Sequence, residues 1–241
     1  MITARFDVTR GHVADQRLRA SLQHDHLTAA RASHIARELM ETGRAAIATI
    51  SGANQSWDVT MEAFERFQKE GDWTLCIHDA EGTRLVSCSF CLASLGGRTG
   101  RPKLLIGCIQ GPDTSVDGRM LYRCLTRKWL GLRPKPLAIF LAQSLARAMG
   151  AKTALILSNE AHVYSSWRYL FRKRRIKADY HALAQDCGAR RDWHVLPMPH
   201  HRLAEDAAGK DAVRRTRHAL QAALDEQILD SVQGRVTNPR T

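Results

Sequence analysis

Between Gly118 and Asn159 the chain carries no acidic residue, and this run is bracketed by two apolar segments of strand composition. The first is Lys103–Ile109, leading into Gln110-Gly111-Pro112. The second is Thr153–Leu157, leading into Ser158-Asn159-Glu160-Ala161-His162. A long connection of helical pattern between two such strands implies a crossover, because parallel neighbours cannot be joined by a tight turn. That narrows the fold to an α/β or α+β domain with a mixed sheet. The connection also gathers fixed cations and helix N-termini at the strand ends, where an anionic ligand is favoured. Residues 118–178 hold fourteen Lys/Arg against one acid, Glu160, a net +13, while the whole chain is +12.

At 241 residues the chain can bury a substantial core. Its N-terminus, Met1-Ile2-Thr3-Ala4-Arg5-Phe6-Asp7, lacks the apolar centre of a secretory signal. No run approaches the ~18 apolar residues that span a bilayer. Six cysteines without an export signal point to reduced thiols and a cytoplasmic location. A pI near 9.9 fits an anionic partner, and it also fits a chain rich in Arg for compositional reasons alone.

Val13–Gly43 reads as helical, with Leu27, Ala32, Ile35, Ala36 and Leu39 on one stripe and Gly43 as its stop. Ala45–Ile50 is compatible with a helical extension or a strand. Trp57–Ala63 alternates as a half-exposed strand does, although Met61, Phe64 and Phe67 also fit a helix. Trp73–His78 and Arg84–Leu92 flank the turn Asp79-Ala80-Glu81-Gly82 and predict a hairpin, continued as a meander by the strand from Lys103. Two helices follow, Gly118–Leu130 and Pro134–Met149, the second stopped by Gly150. The strand at 153–157 should then lie parallel to a neighbour. Helices at Ser165–Lys177 and Asp179–Cys187, a strand at Trp193–Leu196 and a last amphipathic helix with Val213, Leu220, Leu224 and Ile228 complete the chain. This divides it into an N-terminal helical region (1–56), a mixed-sheet core (57–199) and a C-terminal helix and tail (200–241).

Four segments carry a family resemblance: Lys69-Glu70-Gly71-Asp72-Trp73-Thr74-Leu75, Leu105–Gly111, Leu130-Gly131-Leu132-Arg133-Pro134-Lys135 and Ser158–Tyr164. In this order they resemble the VirK/YbjX family of bacterial proteins over roughly residues 20–230. Where that family tends to have an aromatic pair before a double glycine, this chain has Ala182-Leu183 and then Gly188-Ala189. The resemblance implies a link to virulence and to envelope or stress adaptation. It implies no catalytic residues, because the biochemistry of the family is unassigned.

The site must come from the residues. Asn159, Glu160, His162 and Tyr164 follow a buried strand, where open sheets collect ligands, and Glu160, His162 and Tyr164 offer acid–base groups. Arg119, Arg123 and Arg127 repeat every four residues on one helix face. With Gln110 and the neighbouring Lys128, Arg133 and Lys135 they suit a small anion. Arg168, Arg172, Lys173, Arg174, Arg175 and Lys177, interleaved with Trp167, Tyr169 and Phe171, would suit RNA; the same aromatics also fit a core-facing stripe. An anionic membrane surface or a protein partner would use the same basic face.

No metal set is expected. Cys88 and Cys91 should point to opposite faces of a strand, and Asp113–Gly118 reads as a helix cap rather than a calcium loop. His200-His201 with Glu205 and Asp206 fits an exposed loop better than a metal site. There is no P-loop, GxSxG, HExxH or GxGxxG. The order of meander, crossover and parallel strand is similar in topology to the acyl-CoA-dependent N-acetyltransferase superfamily, which would make acyl-CoA the ligand. Gln110-Gly111-Pro112 stands where those enzymes carry a Q/R-x-x-G-x-G/A turn.

Overall fold

The computed structural model describes residues 13–63, 71–94, 102–112, 117–157, 179–187, 195–199 and 212–235. It is an α+β fold built on a seven-stranded mixed sheet. The helical pattern at the start is two helices, α1 (Val13–Arg31) and α2 (Ser33–Thr42), parted at Ala32, which leaves helical geometry at φ −143°. Thr28 Oγ1 bonds back to the His24 carbonyl one turn before the break (2.9 Å), a contact that bends helices. Gly43 ends α2 in the left-handed region at φ 75°, its N–H on the Leu39 carbonyl.

The undecided stretch after Gly43 is a strand, β1 (Arg44–Ser51). The meander continues through β2 (Ser56–Glu62), β3 (Trp73–His78), β4 (Arg84–Ala93) and β5 (Lys103–Gln110). Residues 57–62 are thus strand, not helix. The crossover is α3 (Gly118–Lys128) and α4 (Pro134–Ala148). It returns the chain to β6 (Thr153–Ile156), which lies parallel to β5 as expected. After α5 (Tyr180–Asp186), β7 (Val195–Leu196) pairs antiparallel with β6, and α6 (Ala212–Val232) closes the described chain. Spatial order follows sequence order, β1 to β7, and β5–β6 is the parallel pair.

One sheet face carries Trp57, Val59, Met61, Leu75, Ile77, Val86, Phe90, Leu104 and Ile106 into the main core. Helix α4 lies there between β3–β5 and α6, which is why it is apolar around most of its surface. The opposite face holds a smaller cluster of Ala20, Cys91, Ala93 and Leu105 under α1. Cys88 belongs to the main core and Cys91 to the smaller cluster, on opposite faces as their spacing requires. All six cysteines are free thiols. At the sheet margin, the Gln227 amide accepts from Thr49 N (2.8 Å) and donates to Thr49 O (3.3 Å), occupying the open edge of β1. Among the described residues no helix is long and apolar enough to cross a membrane.

His24, fully buried on α1, accepts a hydrogen bond at Nδ1 from Leu92 N (3.1 Å) and meets the Trp73 ring edge to face. Burial lowers its pKa from 6.5 to about 4, against a smaller opposing effect of Asp25. The unfolded chain therefore binds the proton first as pH falls. The stability held by neutral His24 is complete above pH 6.5 and is lost as pH drops through the folded value, roughly 3 kcal/mol in all. Urea denaturation at pH 7 and pH 4 should show this loss in the native protein and a much smaller one in His24→Asn, which keeps an acceptor but cannot titrate. Equal losses in both proteins would remove His24 as the cause.

Candidate functional site

The basic ridge of the crossover lies on solvent. Arg119, Arg123 and Arg127 are exposed on the outer face of α3, their guanidinium groups without a hydrogen-bond or ion-pair partner among the described residues. Their neighbours are engaged elsewhere. Lys128 Nζ bonds Gln55 (2.7 Å) and sits 5.9 Å from the centre of the Trp57 ring, and Arg133 pairs with Asp186 at 2.9 Å. Asp117 caps α3 as expected, its carboxylate accepting from Arg119 N and Met120 N. The N-terminus of α3 is thus already occupied by a negative charge. Asn159, Glu160, His162 and Tyr164 lie outside the described residues, as do Arg168, Arg172, Lys173, Arg174, Arg175 and Lys177 and the helix expected at 165–177.

The chemistry that is described gathers in two places. The first is where β5 and β6 part. Their parallel register runs from Lys103↔Thr153 to Ile106↔Ile156 and ends with Leu157 N on Ile106 O (3.0 Å). Beyond that point Cys108, Ile109 and Gln110 of β5 have no strand partner on this side among the described residues. Just before them, Ser89 faces Cys108 while its neighbour Phe90 faces Ile106, so Gly107 is the extra residue of a β-bulge. The freed N–H of Ile109 donates to the Tyr180 hydroxyl (3.3 Å), which lies within 3.5 Å of Cys108 Sγ as a donor. Tyr180 is aimed there because Asp179 caps α5, accepting from His181 N and Ala182 N. Gln110 Nε2 also lies 3.4 Å from Cys108 Sγ.

Half-buried at the start of α4 is Lys135. Burial lowers its pKa below the usual lysine value, with Cys108 acting weakly the other way. At the far end of this strand edge, Arg84 donates to Ser87 Oγ (2.8 Å) and to the Gly111 carbonyl (3.1 Å). A backbone donor, a phenol and a cation of weakened solvation therefore lie about Cys108 at the end of β5.

The second place is on the sheet face opposite the main core. Cross-strand register sets Arg44 opposite Glu62 and Thr60 opposite Cys76, and His78 follows two residues on along the same face. Glu62 Oε1 accepts from Thr60 Oγ1 (2.8 Å) and lies 3.5 Å from both His78 Nε2 and Arg44 Nε. Arg44 Nη2 is 3.4 Å from His78 Nδ1. Burial and the Glu62 carboxylate push the Cys76 thiol well up, while burial holds His78 below the usual histidine range. Cys76 is therefore a neutral thiol beside a neutral imidazole, not an activated nucleophile. Spacing along the chain gave no sign of this cluster, since Glu62 reaches Cys76 and His78 only through the register of β2 on β3.

Among curated proteins, the chain is 27% identical over 194 residues to one named "Uncharacterized protein YbjX" from Escherichia coli (strain K12). The alignment covers 78% of this chain and 58% of that protein, so the chain spans under two thirds of its relative's length. No solved structure matches. The resemblance to VirK/YbjX proteins drawn from the four sequence segments holds. Residues 2–230 match the family described as "Protein of unknown function (DUF535)", and the chain belongs to that family.

Proposed function

We propose that this protein is a transferase-like enzyme that binds an acyl-CoA along the freed edge of β5. One observation carries the reading: β5 outruns β6 directly after a bulge, and its buried Ile109 amide bonds a tyrosine hydroxyl rather than a strand among the described residues. An open strand edge pairs with any extended chain carrying amides, and the pantetheine arm of CoA is such a chain. The order of meander, crossover and parallel strand is similar in topology to that of acyl-CoA-dependent N-acetyltransferases, which supports the reading by analogy.

CoA supplies a thioester-activated acyl group. The residues here supply orientation and a proton. The Ile109 N–H is placed to bond a carbonyl oxygen laid against the bulge, as an oxyanion donor does. Tyr180 Oη, released from that amide when the ligand takes its place, can donate its proton to a departing sulfur. Lys135 and the exposed Arg119 and Arg123 are the cations within the crossover from which the CoA phosphates would draw.

Acetyl-CoA at a hundredfold excess over its dissociation constant should stabilise the native state by about 2.7 kcal/mol. For a chain of this size that is a rise in melting temperature of roughly 5–10 °C. Arg119→Ala with Arg123→Ala should weaken CoA without affecting pantetheine, which lacks the phosphates. Tyr180→Phe should still bind acyl-CoA but release CoA far more slowly in the presence of an amine acceptor. If neither CoA nor acetyl-CoA moves the transition, the reading is wrong.

A further inference from the structure

We propose that Glu62, Cys76 and His78 form a binding site for a divalent transition metal, zinc by ligand type, on the sheet face opposite the main core. One ligand atom from each residue lies within 4.8 Å of the other two, and all three residues are buried. Zinc bonds of about 2.0–2.3 Å in tetrahedral geometry set ligand atoms roughly 3.3–3.8 Å apart. Glu62 Oε1 and His78 Nε2 already stand at 3.5 Å, and the remaining separations need to shrink by no more than about 1.5 Å to meet that zinc geometry. A thiolate, an imidazole and one carboxylate select zinc-like ions over calcium or magnesium, which want oxygen. Three protein ligands leave a fourth position open, the pattern of reactive rather than purely structural zinc.

Arg44 is the apparent obstacle, since its guanidinium sits on Glu62 and His78. Its role fits a placeholder. Its side chain is 47% exposed, whereas those of Glu62 and His78 are 11% and 6% exposed, so it alone can swing out to water. Without metal, the Arg44 charge balances Glu62, and the contacts assign His78 the tautomer with Nε2–H on Glu62 and Nδ1 facing Arg44. With a divalent ion bound, Glu62 and the Cys76 thiolate supply the two negative charges that match the metal once Arg44 has left, while Arg84 and Asp58, which also face His78, are of opposite sign to each other. Nδ1 would then carry the hydrogen and donate to Thr60 Oγ1, now 3.4 Å away, while Thr60 keeps its 2.8 Å bond to Glu62. Metal-bound histidines are held by such an outer contact on the second nitrogen. The thiolate is the ligand form, so metal binding releases the thiol proton.

The test is cobalt(II) titration of the untagged full chain after chelator treatment, followed by absorption. The native protein should develop a sulfur-to-cobalt charge-transfer band with tetrahedral d–d bands, discharged by zinc. Cys76→Ser should lose the charge-transfer band, and Cys124→Ser, on the exposed face of α3, should retain it. Arg44→Met removes the competing cation and should tighten zinc by tenfold or more in competition with a chromogenic chelator. This second variant keeps the test open if Cys76→Ser fails to fold. A native protein without the thiolate band, or a band that survives Cys76→Ser, overturns the site; so does zinc affinity unchanged in Arg44→Met. None of these outcomes depends on CoA binding.

Discussion

Asp225→Ala is expected to destabilise the protein by about 3–5 kcal/mol, lowering its melting temperature by roughly 10 °C. Asp225 Oδ2 accepts a hydrogen bond from Arg147 Nη2, with the two side chains only 14% and 13% exposed. The pair joins α6 to the helix that covers the sheet. Removing the carboxylate takes its ion-pair partner from a guanidinium in a poorly solvated seam, and that lost compensation is the main cost. The pair itself contributes much less, because its attraction is largely offset by the desolvation of both ions. Replacing both partners at once, Arg147→Met with Asp225→Leu, should therefore recover most of the loss. Denaturant midpoints of the single and double variants check this. A single variant within 1 kcal/mol of the native protein would mean that solvent reaches the pair.

A loss of similar size is expected for Trp129→Ala, about 3–5 kcal/mol. Trp129 terminates α3 and is 1% exposed, its ring edge-on to Trp57 at 5.6 Å. This contact anchors the first half of the crossover to β2. The indole Nε1 atoms of both residues are buried without a hydrogen-bond partner among the described residues. Trp129→Phe discards that unsatisfied donor while keeping an aromatic ring, so it should cost about 1–2 kcal/mol, far less than its size change alone suggests. Urea unfolding of the two variants separates these expectations. Equal costs for Phe and Ala would show that the full indole outline is what the site requires.

The parts of the fold that sequence exposed are those written in local chemistry. Asp79–Gly82 forced the β3–β4 turn, with Gly82 at φ 78°, and Pro134 and Gly150 bounded α4. The parallel placement of β6 followed from the length of its connection. The parting of α1 from α2 was not legible, because Ala32 is a strong helix former and its departure from helical geometry is set by surroundings. Residues 45–50 were ambiguous because Ala-rich sequence suits either state, and β1 carries a bulge at Ile47 that spoils its alternation. Tyr180 and Ile109 are 71 positions apart, and nothing in either neighbourhood names the other. Glu62, Cys76 and His78 escaped notice for the same reason. The loop from Asn159 to Tyr164, favoured from sequence, lies outside the described residues.

The parting of β5 from β6 also has a consequence for how the protein is made. Strands β1 to β5 pair with their sequence neighbours, so most of the sheet can zip as it leaves the ribosome. The end of β5 is different, since Cys108 and Ile109 are met by Tyr180, which comes only after the crossover and β6. A nascent or truncated chain that stops short of Tyr180 can therefore own a nearly finished sheet while the Ile109 amide still lacks its hydroxyl partner. This edge of β5 is then bare during synthesis, until β6 and Tyr180 reach it.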